Sequence, residues 1–256
     1  MDGRVGTLSW IDTTGGHLRP GDRLRLLGQA LLTQARELPL GLLARMGVRP
    51  WRLAPFDLDE LRIPDSPACV EAAEICAAQQ PEMLVNHCYR TYAWAVILGR
   101  HRRLVPDEEV LFVSSLLHDL GLTDRHRANR HPTCFTLIGA TEAARVAESH
   151  GWSASRRDAA AEAITLHMNL RVPPSQGVEA HLMMAGAQLD VIGAGSWQVA
   201  PETIDDVLPR YPRVGVERGM VATFAEHSRT HPGSRARFYQ RYLGLPLLVR
   251  AAPFEE

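Results

Sequence analysis

The chain has 256 residues with 45% hydrophobic composition, enough for one large domain with a sizeable core, or one domain with a terminal appendage. Its formal net charge is −1, which offers no field for nucleic acid or an acidic membrane. All its basic residues are arginine, so Schiff-base chemistry and a Walker-type phosphate lysine are both excluded.

The N-terminal stretch MDGRVGTLSW lacks a basic region followed by an apolar one, and no signal peptide is expected. Residues 20 to 46 carry an amphipathic helix pattern, broken at Pro39 and closed near Gly47. Arg and Glu interrupt that segment, so it is not read as a membrane span. The proline-rich run RPWRLAPFDLDELRIPDSP then reads as an extended connector. Residues 1–60 are expected to be an extension of unknown role, and residues 61–256 the main domain.

From Pro67 the signals are helical. Helices are expected over 67–80, 82–99 and 107–121, the last with Asp107, Glu108 and Glu109 at its dipole-positive start and Gly121 as a left-handed stop. Further helices are expected over 135–150, 156–170, 177–194, 215–230 and 234–244, while QVAPETIDDVLPRYPRVG between them is heavily punctuated. The fold class is all-α, with antiparallel helices around one core. Cys69, Cys76, Cys88 and Cys134 have no metal-ligand or redox spacing. They are expected to be reduced and buried, which with the absence of a leader makes the cytoplasm the default location.

Ionisable groups occur at core-like positions on three of these helices. His87 lies on the same stripe as Thr91 and Trp94, His118 and Asp119 end the apolar run FVSSLL, and Asp190 lies in MMAGAQLDVIG. A carboxylate there needs a charge partner or a metal, and two imidazoles with two carboxylates suit a divalent ion inside a helical bundle. Neighbouring residues on a helix point about 100° apart. His118 and Asp119 therefore share one ion only if it lies beside the helix end.

The ordered motifs IPDSP, NHCYRTYAW, LLHDLGLT, EAITLHMNL and AQLDVIG, with the closing RAAPF, resemble the HD superfamily of metal-dependent hydrolases over about residues 62 to 254. Within it the pattern is most similar to the cyanamide hydratase-like branch. The resemblance implies an HD-domain helical bundle with His87, His118, Asp119 and Asp190 as metal ligands. His167 of TLHMN matches a pocket histidine that helps to bind a second metal in dinuclear relatives. Where those relatives place the other second-metal histidine, this chain has Phe135, which implies one metal; His131, four residues earlier, is the alternative ligand. The branch usually reads Phe-Glu where this chain has Phe135-Thr136, which puts cyanamide itself in question as the natural substrate.

Such a centre implies Zn²⁺, with Fe²⁺ as the alternative, activating water for attack on an electrophilic carbon or phosphorus. The expected activity is hydrolysis or hydration of a small C–N substrate of the cyanamide or nitrile kind, with His167 as the proton carrier. The alternatives are a phosphohydrolase acting on a nucleotide or small phosphomonoester, an iron-dependent oxygenase, and a non-catalytic metal-containing binding module. Asn86, Arg90, Phe135 and Asn169 are candidate substrate contacts, with Arg90 suited to an anionic group. Asp124 and His126 are read as a solvated loop, and Tyr92, Trp94, Met183 and Met184 as core. The expected partner is a small molecule, with no nucleic acid or membrane; homo-oligomerisation is left open.

Overall fold

A computed structural model describes residues 4–48, 53–127 and 134–255. The described residues contain thirteen α-helices and no strand, so the fold is all-α. Four helices surround the site. Glu82–Arg102 (α4) packs along Val178–Ile192 (α9), while Glu108–Leu117 (α5) lies against Ala154–Leu166 (α8). Pro67–Gln79 (α3) and Thr136–Ser149 (α7) close the bundle on the flank of α5.

Local sequence accounts for most of the boundaries. The Asp107 side chain caps α5 by accepting from Val110 N–H, and Ser153 caps α8 by accepting from Arg156 N–H. Gly193, in left-handed conformation, ends α9. The core helices are apolar almost all round; every residue of α5 from Val110 to Leu117 is buried.

Several expectations need correction. The helix expected to break at Pro39 runs unbroken as Pro20–Arg45 (α2), because the strong helix formers on either side carry the helix past the one missing backbone donor. Gly121 is not the left-handed stop of the HD helix. α5 ends at Leu117, and Gly121 lies in a 3-10 turn, Leu120–Leu122, without positive φ. A Cβ there would come within 2.9 Å of the Phe135 carbonyl carbon, so the glycine lets the chain before α7 press against the turn after the HD pair.

Leu8–Thr14 (α1), Pro201–Arg210 (α10) and Leu245–Arg250 (α13) are further helices, each too short or too proline-rich for its periodicity to register in the sequence. The remaining long segments are Val216–Thr230 (α11) and Arg235–Tyr242 (α12). Asp124–Arg127, expected as loop, is a single helical turn in which His126 pairs with Gln79 Oε1 at 3.1 Å.

Residues 4–26 pack against the bundle. Val5, Trp10, Ile11, Leu18 and Leu26 join a second apolar cluster with Phe135, Met168, Phe224 and Phe238. Beyond Leu26, α2 presents Leu31, Leu38 and Leu42 largely to solvent. The four cysteines are free and buried. No described helix is long and apolar enough to cross a membrane.

Candidate metal centre

α4 presents His87, Arg90 and Trp94 from one face, at spacings of three and four residues, toward the HD turn and α9. At the end of α5, His118 keeps helical dihedrals (φ −62°, ψ −34°), but Asp119 leaves them (φ −102°, ψ 8°). This local unwinding lets adjacent side chains turn to the same point. His87, His118 and Asp119 are all buried, and their ligand atoms converge.

The distances suit a cation. His87 Nε2 lies 3.1 Å from His118 Nε2, and Asp119 Oδ2 lies 3.5 Å and 3.4 Å from those two nitrogens. Tetrahedral ligands at about 2.0–2.1 Å from Zn²⁺ are separated by about 3.3 Å. The protonation pattern points the same way. His87 Nδ1 donates to Asp190 Oδ2 at 2.6 Å, and His118 Nδ1 donates to the Ser115 carbonyl at 2.8 Å. With each ring's proton on Nδ1, the two Nε2 lone pairs face each other beside a carboxylate. Burial lowers the His118 pKa, so protonation of that ring does not relieve the contact. Asp119 Oδ1 is buried without a hydrogen-bond partner. A divalent cation among these three side chains answers all of these features.

Asp190 is fully buried on the other side of the His87 ring. Its Oδ1 accepts from Arg90 Nε (2.7 Å) and Trp94 Nε1 (3.1 Å), and its Oδ2 from Arg90 Nη2 (3.0 Å) and His87 Nδ1. These four donors occupy the roughly four lone-pair sites of a carboxylate. Burial by itself raises this carboxyl's pKa, but Arg90 and His87 outweigh it and hold Asp190 far below the usual carboxylate range. In this arrangement Asp190 stands behind His87 and outside the three-residue cluster.

The remaining candidates fall into place around this core. Arg90, expected to meet an anionic substrate, is fully buried; it grips Asp190, and its Nη1 donates to the carbonyls of Tyr211 and Pro212 at 2.9 and 2.6 Å. His167 follows the last turn of α8. Its Nδ1 donates to the Ile164 carbonyl at 2.6 Å, leaving Nε2 3.8 Å from Asp119 Oδ1. Burial, with His118 and Arg235 nearby, holds the His167 pKa well below its ordinary value. The Phe135 ring packs edge-on to His167 at 5.8 Å and to His227 at 5.3 Å. Asn169 donates to the Val5 carbonyl and accepts from Arg235 Nη1. Asn86 is half-buried beside His87. His131 lies outside the described residues.

Some contributors were not legible. Trp94, expected as core, also donates its indole N–H to Asp190. Arg213 donates to the Asp190 carbonyl, and Phe254 of the closing RAAPF stacks on Trp94 at 6.3 Å, with the Arg213 guanidinium 5.0 Å from its ring centre. The spacing of Trp94 from His87 was the one available signal for these groups.

Residues 84–192 match the model of the HD domain family, a span that takes in His87, His118, Asp119, His167 and Asp190. Over these residues the chain is similar to HD domains. HD domains are generally metal-dependent hydrolases, which agrees with the convergent His/His/Asp cluster. The chain is also similar to two proteins of Saccharomyces cerevisiae, the cyanamide hydratases DDI2 and DDI3. It is 24% identical to each over 155 residues, covering 59% of this chain and 68% of each relative.

Proposed function

We propose that the HD domain holds one divalent metal, Zn²⁺, through His87, His118 and Asp119, and adds water to a small neutral C–N substrate of the cyanamide or nitrile kind. A cation bound there would act as a Lewis acid and lower the pKa of the water it holds toward neutral. Asp190, fixed by Arg90 and Trp94, keeps the His87 proton on Nδ1 and its Nε2 lone pair toward the metal position.

His167 supplies the proton movement. Neutral, with its Nδ1–H committed to Ile164, it offers Nε2 as a base beside Asp119. Hydration of a nitrile forms one C–O bond and places both water hydrogens on the substrate, at least one of them on nitrogen. A histidine that takes a proton and returns it to the developing N–H performs this transfer. Phe135 in place of a second-metal ligand favours a single ion.

The choice of a neutral substrate rests chiefly on one observation: among the described residues, Arg90, Arg213 and Arg235 near the centre are each engaged within the protein. Arg90 holds Asp190, Arg213 holds the Asp190 carbonyl, and Arg235 is bound by Asn169, Cys134 and Thr165. A phosphomonoester dianion would call for cationic groups turned to the metal. Instead Leu84 and Leu122, three residues from His87 and Asp119, share an apolar cluster with Phe135 and Met168. The similarity to the two yeast hydratases supports the same substrate class. The four free cysteines support a reducing compartment, the cytoplasm.

The test is a substrate panel on the zinc-loaded protein, scored for urea from cyanamide, amide from small nitriles, and phosphate from nucleotides and phosphomonoesters. The proposal expects amide-type products without phosphate. Phosphate release without amide products would overturn it.

A further inference from the structure

Arg235 of α12 is buried to 1% exposure, and no carboxylate among the described residues pairs with it. Its Nη1 donates to Asn169 Oδ1 at 2.9 Å. Its Nη2 lies 2.9 Å from the Thr165 carbonyl, 3.1 Å from Cys134 Sγ and 3.3 Å from Thr136 Oγ1, while Nε finds no acceptor. A guanidinium stays charged inside a protein, and an uncompensated charge there is costly.

Cys134 is the group among these partners that ionises to an anion. Its sulfur is buried between the Arg235 guanidinium and the Thr136 hydroxyl, the latter at 3.0 Å. Burial alone would push the thiol up. Arg235 and Thr136 outweigh it and hold Cys134 below its ordinary value. The N-terminal segment seals the pair. The Trp10 ring centre lies 5.8 Å from the guanidinium carbon, and Gly6, at φ +85°, lies so close that a Cβ there would be 2.6 Å from Asn169 Oδ1.

The partners bracket two site residues. Thr165 and Asn169 lie two positions on either side of His167, and Cys134 and Thr136 lie on either side of Phe135. One guanidinium thereby ties together the two chain segments whose rings meet at 5.8 Å.

We propose that Cys134 is a buried thiolate paired with Arg235, and that this ion pair clamps the His167 and Phe135 segments in register. Its consequence for turnover rests on the proton-carrying role given to His167; its charge state does not. Cys134 and Arg235 are positioning residues, acting through His167.

The experiment uses the full-length metal-loaded protein with carbon-labelled cysteine, whose Cβ shift distinguishes thiol from thiolate residue by residue. Cys134 is expected to report thiolate at neutral pH, while Cys69, pushed up to about 11 by burial, and Cys88, also raised by burial, report thiol. A neutral Cys134 thiol would overturn the ion pair, and this reading needs no variant to fold. The His167 ring resonances are then compared across substitutions that keep or remove the anion. Cys134→Ser is expected to shift them, and Cys134→Asp to return them, with metal content unchanged. Turnover is expected to follow, falling on the order of 10²-fold in Cys134→Ser and recovering in Cys134→Asp. Unmoved His167 resonances in Cys134→Ser, or no recovery in Cys134→Asp, would overturn the clamp. If the protein hydrates no C–N substrate, the Cβ and ring shifts still decide this inference.

Discussion

His87 Nδ1 donates to Asp190 Oδ2 at 2.6 Å, on the opposite side of the ring from the Nε2 that meets His118. In the proposed function Asp190 is an orienting carboxylate behind His87. Asp190→Asn is expected to weaken metal affinity about 10- to 100-fold while leaving a metal site in place, the usual scale for loss of such a partner. Competition with a chelator measures it. Complete loss of metal would instead make Asp190 a direct ligand.

Arg90 is the main counter-charge of that carboxylate. Arg90→Met leaves a buried anion facing an apolar side chain, and is expected to cost about 3–5 kcal/mol of stability. Urea unfolding of the metal-free protein checks this, with the double variant Arg90→Met/Asp190→Leu expected to regain much of the loss. No recovery in the double variant would show that Arg90 matters for its contacts with Tyr211 and Pro212 instead.

His167 is expected to separate proton transfer from metal binding. His167→Ala should keep the metal and lose about 10²–10⁴-fold in turnover. His167→Gln should behave in the same way, since an amide fills the space but does not act as a base at neutral pH. Lowered metal content in either variant would make His167 a ligand, and full turnover would make it a core residue only.

Acid should destabilise the metal-free protein through the same histidines. His167 and His118 have pKa values lowered by burial from an ordinary 6.5, so below that pH the unfolded chain binds protons that the folded chain refuses. Stability is therefore complete above about 6.5 and falls as the pH drops below it. Urea midpoints measured from pH 8 to 5 should decline on the acid side, with a smaller decline in His167→Gln. A flat profile would contradict the neutral buried imidazoles.

The helical periodicity from Pro67 onward was enough to bring out the all-α class, and His87, His118 and Asp119 in apolar settings marked ionisable groups that the structure brings together, because buried ionisable groups on apolar helices are costly unless they meet. Helix ends were legible where a cap or glycine is local and was read as such, as at Asp107 and Gly193. The HD turn was not: α5 unwinds at Leu117 because Asp119 leaves helical dihedrals, and Gly121 serves the approach of Phe135. Relations carried only by tertiary contact were also out of reach. Arg235 meets Cys134 across 101 residues, and Arg90 meets Asp190 across 100, distances over which no periodicity reports.

The central claim is one divalent ion per chain held by His87, His118 and Asp119, and elemental analysis of purified protein tests it most directly. The expected result is one metal per chain, zinc in the active form, and none in His118→Ala or Asp119→Ala. Two metals per chain, an active protein without metal, or full occupancy in both variants would contradict it.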